Sequence, residues 1–463
     1  MLKFLIGIFV VVAIIFVATI QWPEESTPEF IEIGQLTVDG NAEIVRSSAD
    51  GQLLVHTNAR RQSIDIVDLS EPTAPVVLAS IKVPGEPTSV DISADGLWAL
   101  ATVHVKRSKK GKPPTDPRLP GVLAVIDLQN PAAPVLASVI GIDNHPDSIA
   151  VTTAGDELVA VIAIENEPLL VKDGVLADDD QTDGSKDISS AGVVQIVSLN
   201  PATPRNWSVT TLQIPTDLLT NAEILNPEDP QPEFIALSPG RHMAAVSLQE
   251  NNGILLVDLA TEEISGAFTL GRVTDRLADL KDNGLTELTQ RYPSDSLEPE
   301  QAGMRTPDAI AFSPDGQYLL SADEGEAPMT GGRGFSVWTL NGDLAWDDGG
   351  EIEALAAAAN LYPDHRSEEK GIEIEGISTG RFGARDFAFA VSERGSFMVV
   401  YDISNPNAPQ FVQLLETGTA PEGVIAIPSR NLIVVAAEES GTLTIYRYEP
   451  SVESTNPIKD LLN

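Results

Sequence analysis

The sequence predicts an all-β protein, a seven-bladed β-propeller behind an N-terminal transmembrane signal anchor. Three observations carry that prediction. A short apolar strand reading roughly Val-Ile-Asp-Leu returns seven times; a strand with an acid and an Asp-Gly type of turn precedes most copies; and an uncharged run, residues 4–20, stands ahead of them all. The expected organisation is a signal anchor over residues 1–22, a linker over 23–28, the propeller over 29–450 and a tail over 451–463.

Residues 4–20, FLIGIFVVVAIIFVATI, are at the short end of what spans a bilayer as a helix. Lys3 precedes the run and QWPEESTPE follows, so the positive-inside rule leaves the N-terminus in the cytoplasm and the propeller in the periplasm or outside the cell. Trp22 sits where an interfacial anchor would. Ala18-Thr19-Ile20 is a poor cleavage site, which favours an uncleaved inner-membrane anchor over a cleaved signal peptide.

The recurring phrase appears as SIDIVDLSEPTAP around Asp68, LAVIDLQNPAAP around Asp127 and VQIVSLNPATP around Ser198. It returns as ILLVDLATEE around Asp258, FSVWTLNGD around Thr339, MVVYDISNPNAP around Asp402 and TLTIYRYEP around Arg447. The spacing is too irregular for a solenoid but suits a propeller whose blades carry insertions. The preceding unit is clearest at Thr306–Glu326, TPDAIAFSPDGQYLLSADEGE. Other copies start at Pro87, Pro146, Pro232 and Pro421, and a Pro-less one near Glu375. Asp95-Gly96 and Asp315-Gly316 supply the positive φ of a tight hairpin. The last repeat lacks an outer strand, and residues 29–36, EFIEIGQL, are expected to complete blade seven and so remove a sheet edge.

Four insertions interrupt the plan: a basic, Pro-rich stretch at 104–120, an acidic one at 167–191, an irregular stretch with a helix at 271–305, and 350–370 with the short helix EIEALAAAAN. The net charge of −39 and pI near 4.3 disfavour nucleic acid as a partner and suit a salt-adapted surface, cations or a basic partner. There is no cysteine, which excludes disulfides, thiol catalysis and thiolate metal sites.

From about Pro232 to Tyr448 the wording becomes specific. LQENN at Leu248–Asn252, PDAIAFSPDG with ADEGE, GGRGFSVWTLNGDLAWDDG, and HRSEEKGIEIEGI followed by FAFAVSERGSFMVVYDISNPNAPQFVQ resemble the choice-of-anchor I domain proteins. The resemblance implies an exported propeller tethered to the cell surface, with relatives among the mesenchyme-specific cell surface glycoproteins. It also brings the alkaline-phosphatase-like or phytase-like label given to some members. Where the family usually reads Gly-Pro-Glu-Pro-Glu-Gly, this chain reads Gly371-Ile372-Glu373-Ile374-Glu375-Gly376: both prolines are lost and both acids kept.

A hairpin returns the end of its second strand to the start of its first. The acid after each Pro should therefore meet the acid that ends the second strand, beside the central channel. The expected pairs are Asp147 with Glu165, Glu233 with Glu250, Asp308 with Glu324, Glu375 with Glu393, and Glu422 with Glu438, an acidic crescent from five blades. Crowded like charges call for a counter-charge, and a divalent cation with oxygen ligands, Ca²⁺ ahead of Mg²⁺, is the natural cofactor. Asn166 and Asn251 could add amide oxygens. Two plainer readings stay open: the acids bond to backbone amides of the next blade, or they receive an organic cation.

Blades one and two show no such pairs. Arg60-Arg61 and the run from His104 to Lys112, with Lys106 and Arg107, lie at the same edge instead. A basic lip facing a metal-holding crescent is what a phosphoester would need; a solvated loop is the bland alternative. No nucleophilic triad is visible, and His56, His104, His145, His242 and His365 show no metalloprotease spacing. His104, His145 and Arg394, beside Glu393, are the remaining candidate ligand contacts. The main reading is a membrane-anchored binding or scaffolding module, with a divalent cation and a protein or small-molecule ligand at the channel mouth. The alternatives are a metal-dependent phosphoesterase and a metal-free surface adhesion protein.

Overall fold

The computed structural model describes residues 29–105, 120–165, 170–172, 175–177, 191–273, 275–292, 303–325 and 331–450. They form seven four-stranded antiparallel sheets. The innermost strands are Val45–Ser47, Glu86–Ile92, Pro146–Ala154, Pro232–Leu237, Pro307–Phe312, Ile374–Phe382 and Pro421–Ile427, defining blades 1 to 7 in chain order. Each touches the next, and the seventh touches the first, so the sheets close into a ring. This is the expected seven-bladed propeller.

Closure follows the predicted route. Phe30–Thr37 pairs antiparallel with Thr442–Tyr448, from Phe30 opposite Tyr448 to Thr37 opposite Thr442, and so supplies the outer strand of blade 7. Phe30, fully buried, meets Phe382, Phe387, Phe389 and Tyr448 with ring centroids 5.2–5.8 Å apart. Each such contact contributes about 0.5–1.5 kcal/mol beyond area burial. Arg385 lies 4.6 Å from the Phe387 centroid and bridges Asp402 at 2.6 Å to Glu29 at 2.5 Å, tying the closing strand to blade 6.

The recurring phrases have physical causes. The second and third strands are buried on both faces, which is why they read as mainly apolar runs without the alternation of a half-exposed strand. Seven apolar clusters fill the seven seams between blades, for example Val55 and Ile66 against Val90 and Ala101 between blades 1 and 2. The Asp that ends the third strand accepts the backbone N–H two residues on, at 2.8 Å for Asp68, Asp127, Asp258 and Asp402. That bond starts the turn to the outer strand. In the tight hairpins Ser93 and Ser313 donate to Asp95 and Asp315, and Gly96 and Gly316 both take φ +71°.

Of the four insertions, 104–120 and 167–191 lie mostly outside the described residues. Within 271–305 the described residues form a β-hairpin, Arg276–Ala278 with Gln290–Tyr292, and no helix; residues 274 and 293–302 lie outside the described residues. Polar and turn-forming residues fill the arm between them, and no helical apolar stripe is present to bury. Two α-helices are described: α1, Thr216–Asn221, which was not expected, and α2, Glu351–Ala358, which was. The insertion at 350–370 is held from inside: Arg333, fully buried, donates to Glu353 at 3.2 Å and to the carbonyls of Ser367, Glu369 and Asp279. Among the described residues no helix is long and apolar enough to cross a membrane; the expected anchor at 4–20 lies outside them.

Candidate carboxylate ring at the channel mouth

The inner strands of blades 3 to 7 open with an irregularity that fixes the site. The pairing slips between Pro146 and Ile149, Pro232 and Ile235, Pro307 and Ile310, Ile374 and Gly376, and Pro421 and Gly423. A bulge of this kind re-aims a side chain, and in each of these five blades the acid after the Pro position falls inside the slip, alone in blades 6 and 7 and with the next residue in blades 3, 4 and 5. Asp147, Glu233, Asp308, Glu375 and Glu422 accordingly line one cavity of about 250 Å³ at the end of the channel.

The expected crescent is in fact a closed ring. Glu43 and Glu86 line the same cavity, so blades 1 and 2 contribute as well and all seven blades supply one carboxylate. Glu43 has no Pro before it, and Glu86 precedes Pro87 instead of following it. The Pro-acid pattern therefore passed over both.

The seven carboxylates are half-buried in their own exposure but recessed in a shared mouth. Burial, then Glu438 and Glu86, push Glu43 up to about 8. Burial and the neighbouring carboxylates likewise hold Glu233, Asp308, Glu375 and Glu422 well above the usual carboxylate range. Loss of water and mutual repulsion act in the same sense here.

A second tier comes from the ends of the second strands. Glu324, 4% exposed, accepts from Gln249 at 2.5 Å and Lys370 at 2.8 Å. Glu393 pairs with Arg394 at 2.7 Å, and Glu438 accepts from Asn41 at 3.2 Å. Glu165 lies 2.7 Å from the His145 imidazole. In blade 4 the residue directly after the second strand is Gln249, so Glu250, the expected partner of Glu233, falls one residue further into the turn. Glu373, absent from the expected set, is 2% exposed and accepts from Arg366 at 2.7 Å and Arg394 at 3.0 Å.

Three groups bring three donor atoms within 4.8 Å of one another: Glu324, Glu373 and Glu375; Glu375, Glu393 and Glu422; and His145, Asp147 and Glu165. Oxygens sharing one Ca²⁺ at 2.3–2.6 Å lie at most about 5 Å apart, so each group fits around an ion of that size. Glu233, Glu250, Asp308 and Glu438 join no such group among the described residues.

Asn251 takes a structural role instead of the expected ligand role. Fully buried, it accepts from the Gln231 N–H at 2.7 Å and donates to the carbonyls of Leu225, Asn226 and Asp229. Arg394 is held between Glu373 and Glu393. His104 and His145 come together from adjacent blades, ring centroids 5.1 Å apart, a pairing their distance in sequence conceals. Asn166, Lys106 and Arg107 lie outside the described residues.

Below the ring the channel changes character. A second cavity, of about 420 Å³, is lined by inner-strand residues with Asp91, Arg241 and Arg46, and Arg46 also lines the mouth. Arg46 and Asp91 attract each other in this buried setting.

A family model for the choice-of-anchor I domain matches residues 43–297 and 327–406. The chain belongs to the choice-of-anchor I family. Among solved structures this choice-of-anchor I propeller is similar to Kuenenia stuttgartiensis hydrazine synthase, with 11% identity over 89% of this chain and 97% of that one and a TM-score of 0.53. It is also similar to the β-propeller domain of Myceliophteria thermophila Cps50 (Swd1), with 12% identity over 91% and 100% and a TM-score of 0.52. At such identities the likeness concerns the propeller fold alone. Comparison with curated proteins finds no match.

Proposed function

We propose that this choice-of-anchor I propeller is an exported surface module that binds at its channel mouth and holds a hard divalent cation there, Ca²⁺ first. The observation that carries this reading is the convergence of seven carboxylates, one from each blade, on a single cavity. Such a ring in a recessed mouth lowers its own energy by taking up a cation. The two all-carboxylate groups, centred on Glu375, are the positions we assign to it. The ion would then offer open coordination positions to a carboxylate or other oxygen ligand of a partner arriving from outside. Export rests on the family and on the uncharged run at 4–20, which would tether the propeller to the inner membrane.

Metal content and calorimetry of the full chain test the site, comparing wild type with a Glu375→Gln, Glu422→Gln double variant after dialysis against chelator and then Ca²⁺. Wild type should retain at least one ion that the variant loses. A folded wild type that takes up none would overturn the reading. Carbonate extraction of membranes from cells making the full chain tests the tether: the protein should stay with the pellet.

A further inference from the structure

We infer that the seam between blades 2 and 3 holds a second metal position of different chemistry, a site for a borderline divalent ion of the zinc class built on His145, Asp147 and Glu165. It touches the proposed calcium site only in that Asp147 lines the same mouth; none of its three donors belongs to the two all-carboxylate groups.

The donor set decides the class. Calcium and magnesium take oxygen ligands, whereas an imidazole nitrogen with carboxylates suits zinc and its neighbours in the first transition row. Here one imidazole and two carboxylates bring donor atoms within 4.8 Å of one another, with His145 Nδ1 2.7 Å from Glu165 Oε2. His104, 5% exposed at the end of its strand, places a further imidazole beside them. One imidazole and two carboxylates are three protein ligands, which leaves a four-coordinate ion one open position.

The backbone presents these groups for reasons the fold explains. His145 takes φ +50° in the position before the inner-strand Pro, and Thr306, Glu373 and Ala420 occupy the same position in blades 5, 6 and 7 at φ 47–56°. In blade 6 that position carries a carboxylate that belongs to an all-oxygen group, and in blade 3 it carries an imidazole. One backbone device thus presents a hard donor on one side of the ring and a nitrogen donor on the other. An independent observation points to a ligand in the same mouth: Ser89, 2% exposed, lines the cavity, and its hydroxyl has no hydrogen-bond partner among the described residues.

The test is calorimetric titration of the full chain, freed of metal, with Zn²⁺ in the presence of excess Ca²⁺. Cobalt(II) serves as a second probe, because its visible bands report nitrogen and oxygen ligation. Wild type should bind one Zn²⁺ that Ca²⁺ does not displace. His145→Asn should weaken Zn²⁺ at least about tenfold while leaving Ca²⁺ binding unchanged; Asn is chosen because it tolerates positive φ. Glu165→Gln should weaken Zn²⁺ similarly, and it serves if the histidine variant fails to fold. Unchanged Zn²⁺ affinity in both variants, no Zn²⁺ binding by wild type, or one-for-one displacement by Ca²⁺ would each overturn the inference. Loss of Ca²⁺ binding with Zn²⁺ retained would instead sink the calcium reading alone.

Discussion

The guanidinium of Arg46, on the inner strand of blade 1, lies 5.7 Å from the ring centroid of Phe234, on the inner strand of blade 4. Blades 1 and 4 are not neighbours, so the pair reaches across the channel. It places a fixed positive charge at the floor of the carboxylate ring and divides the mouth from the cavity below.

Replacing that charge should tighten cation binding. Arg46→Gln removes a positive charge from the floor of the mouth, so Ca²⁺ affinity should rise by about tenfold or more. Calorimetric titration against wild type checks this. Unchanged affinity would mean that Arg46 does not sense the ion.

The ring also predicts a pH dependence with a definite sign. Glu43 titrates at about 8 in the folded chain and near 4.5 when unfolded. An acid whose folded value is raised contributes stability that is fully present below about 4.5 and lost as pH rises through about 8. Glu233, Asp308, Glu375 and Glu422 shift the same way and add to the slope. Asp68 and Asp402 shift the other way, so their contribution falls only as pH drops through the ordinary Asp range. Urea midpoints of metal-free protein should therefore decline from pH 5 to pH 8, and Ca²⁺ should flatten the decline. A midpoint that rises over this window would contradict the ring's electrostatics.

Loss of the closing aromatic should be costly. Phe30→Ala empties a fully buried site among four aromatic rings, and such truncations cost about 3–5 kcal/mol. Equilibrium denaturation with a fluorescence readout gives the value; a loss below about 1 kcal/mol would show that the seam relaxes around the gap.

Arg333→Met should destabilise the chain by about 3–5 kcal/mol, because it strands the buried Glu353 carboxylate. Adding Glu353→Leu should restore part of the loss, and a double-mutant cycle measures the coupling. The same guanidinium holds the carbonyls of Ser367 and Glu369, and the next residue, Lys370, donates to Glu324. The single variant should therefore also alter Ca²⁺ affinity.

The propeller was legible because a blade repeats one problem of chain geometry: a Ser-x-Asp-Gly hairpin, a strand buried on both faces, and an Asp that starts the next turn. The missing outer strand announced where closure must come from, and Phe30–Thr37 pairs there. The site was legible only where it obeyed the repeat. Glu43 and Glu86 sit at the mouth without the Pro-acid spelling, and Glu373 joins Glu324 and Glu375 from the position before the bulge. Gln249 displaced Glu250 because residues beyond a strand's end follow turn geometry rather than strand register. The meeting of His104 and His145 depends on how one blade leans on the next, and spacing along one chain carries no signal for that.

The clasp of blade 7 has a consequence for how the molecule is displayed. Phe30 stands opposite Tyr448, and the Glu449 N–H donates to the Glu29 carbonyl at 2.7 Å, so chain enters and leaves the ring at a single doorway. A leash fastened at either side of that doorway would hang the disk from the same point on its rim. The mouth would then face its surroundings at the same attitude whichever leash carried it.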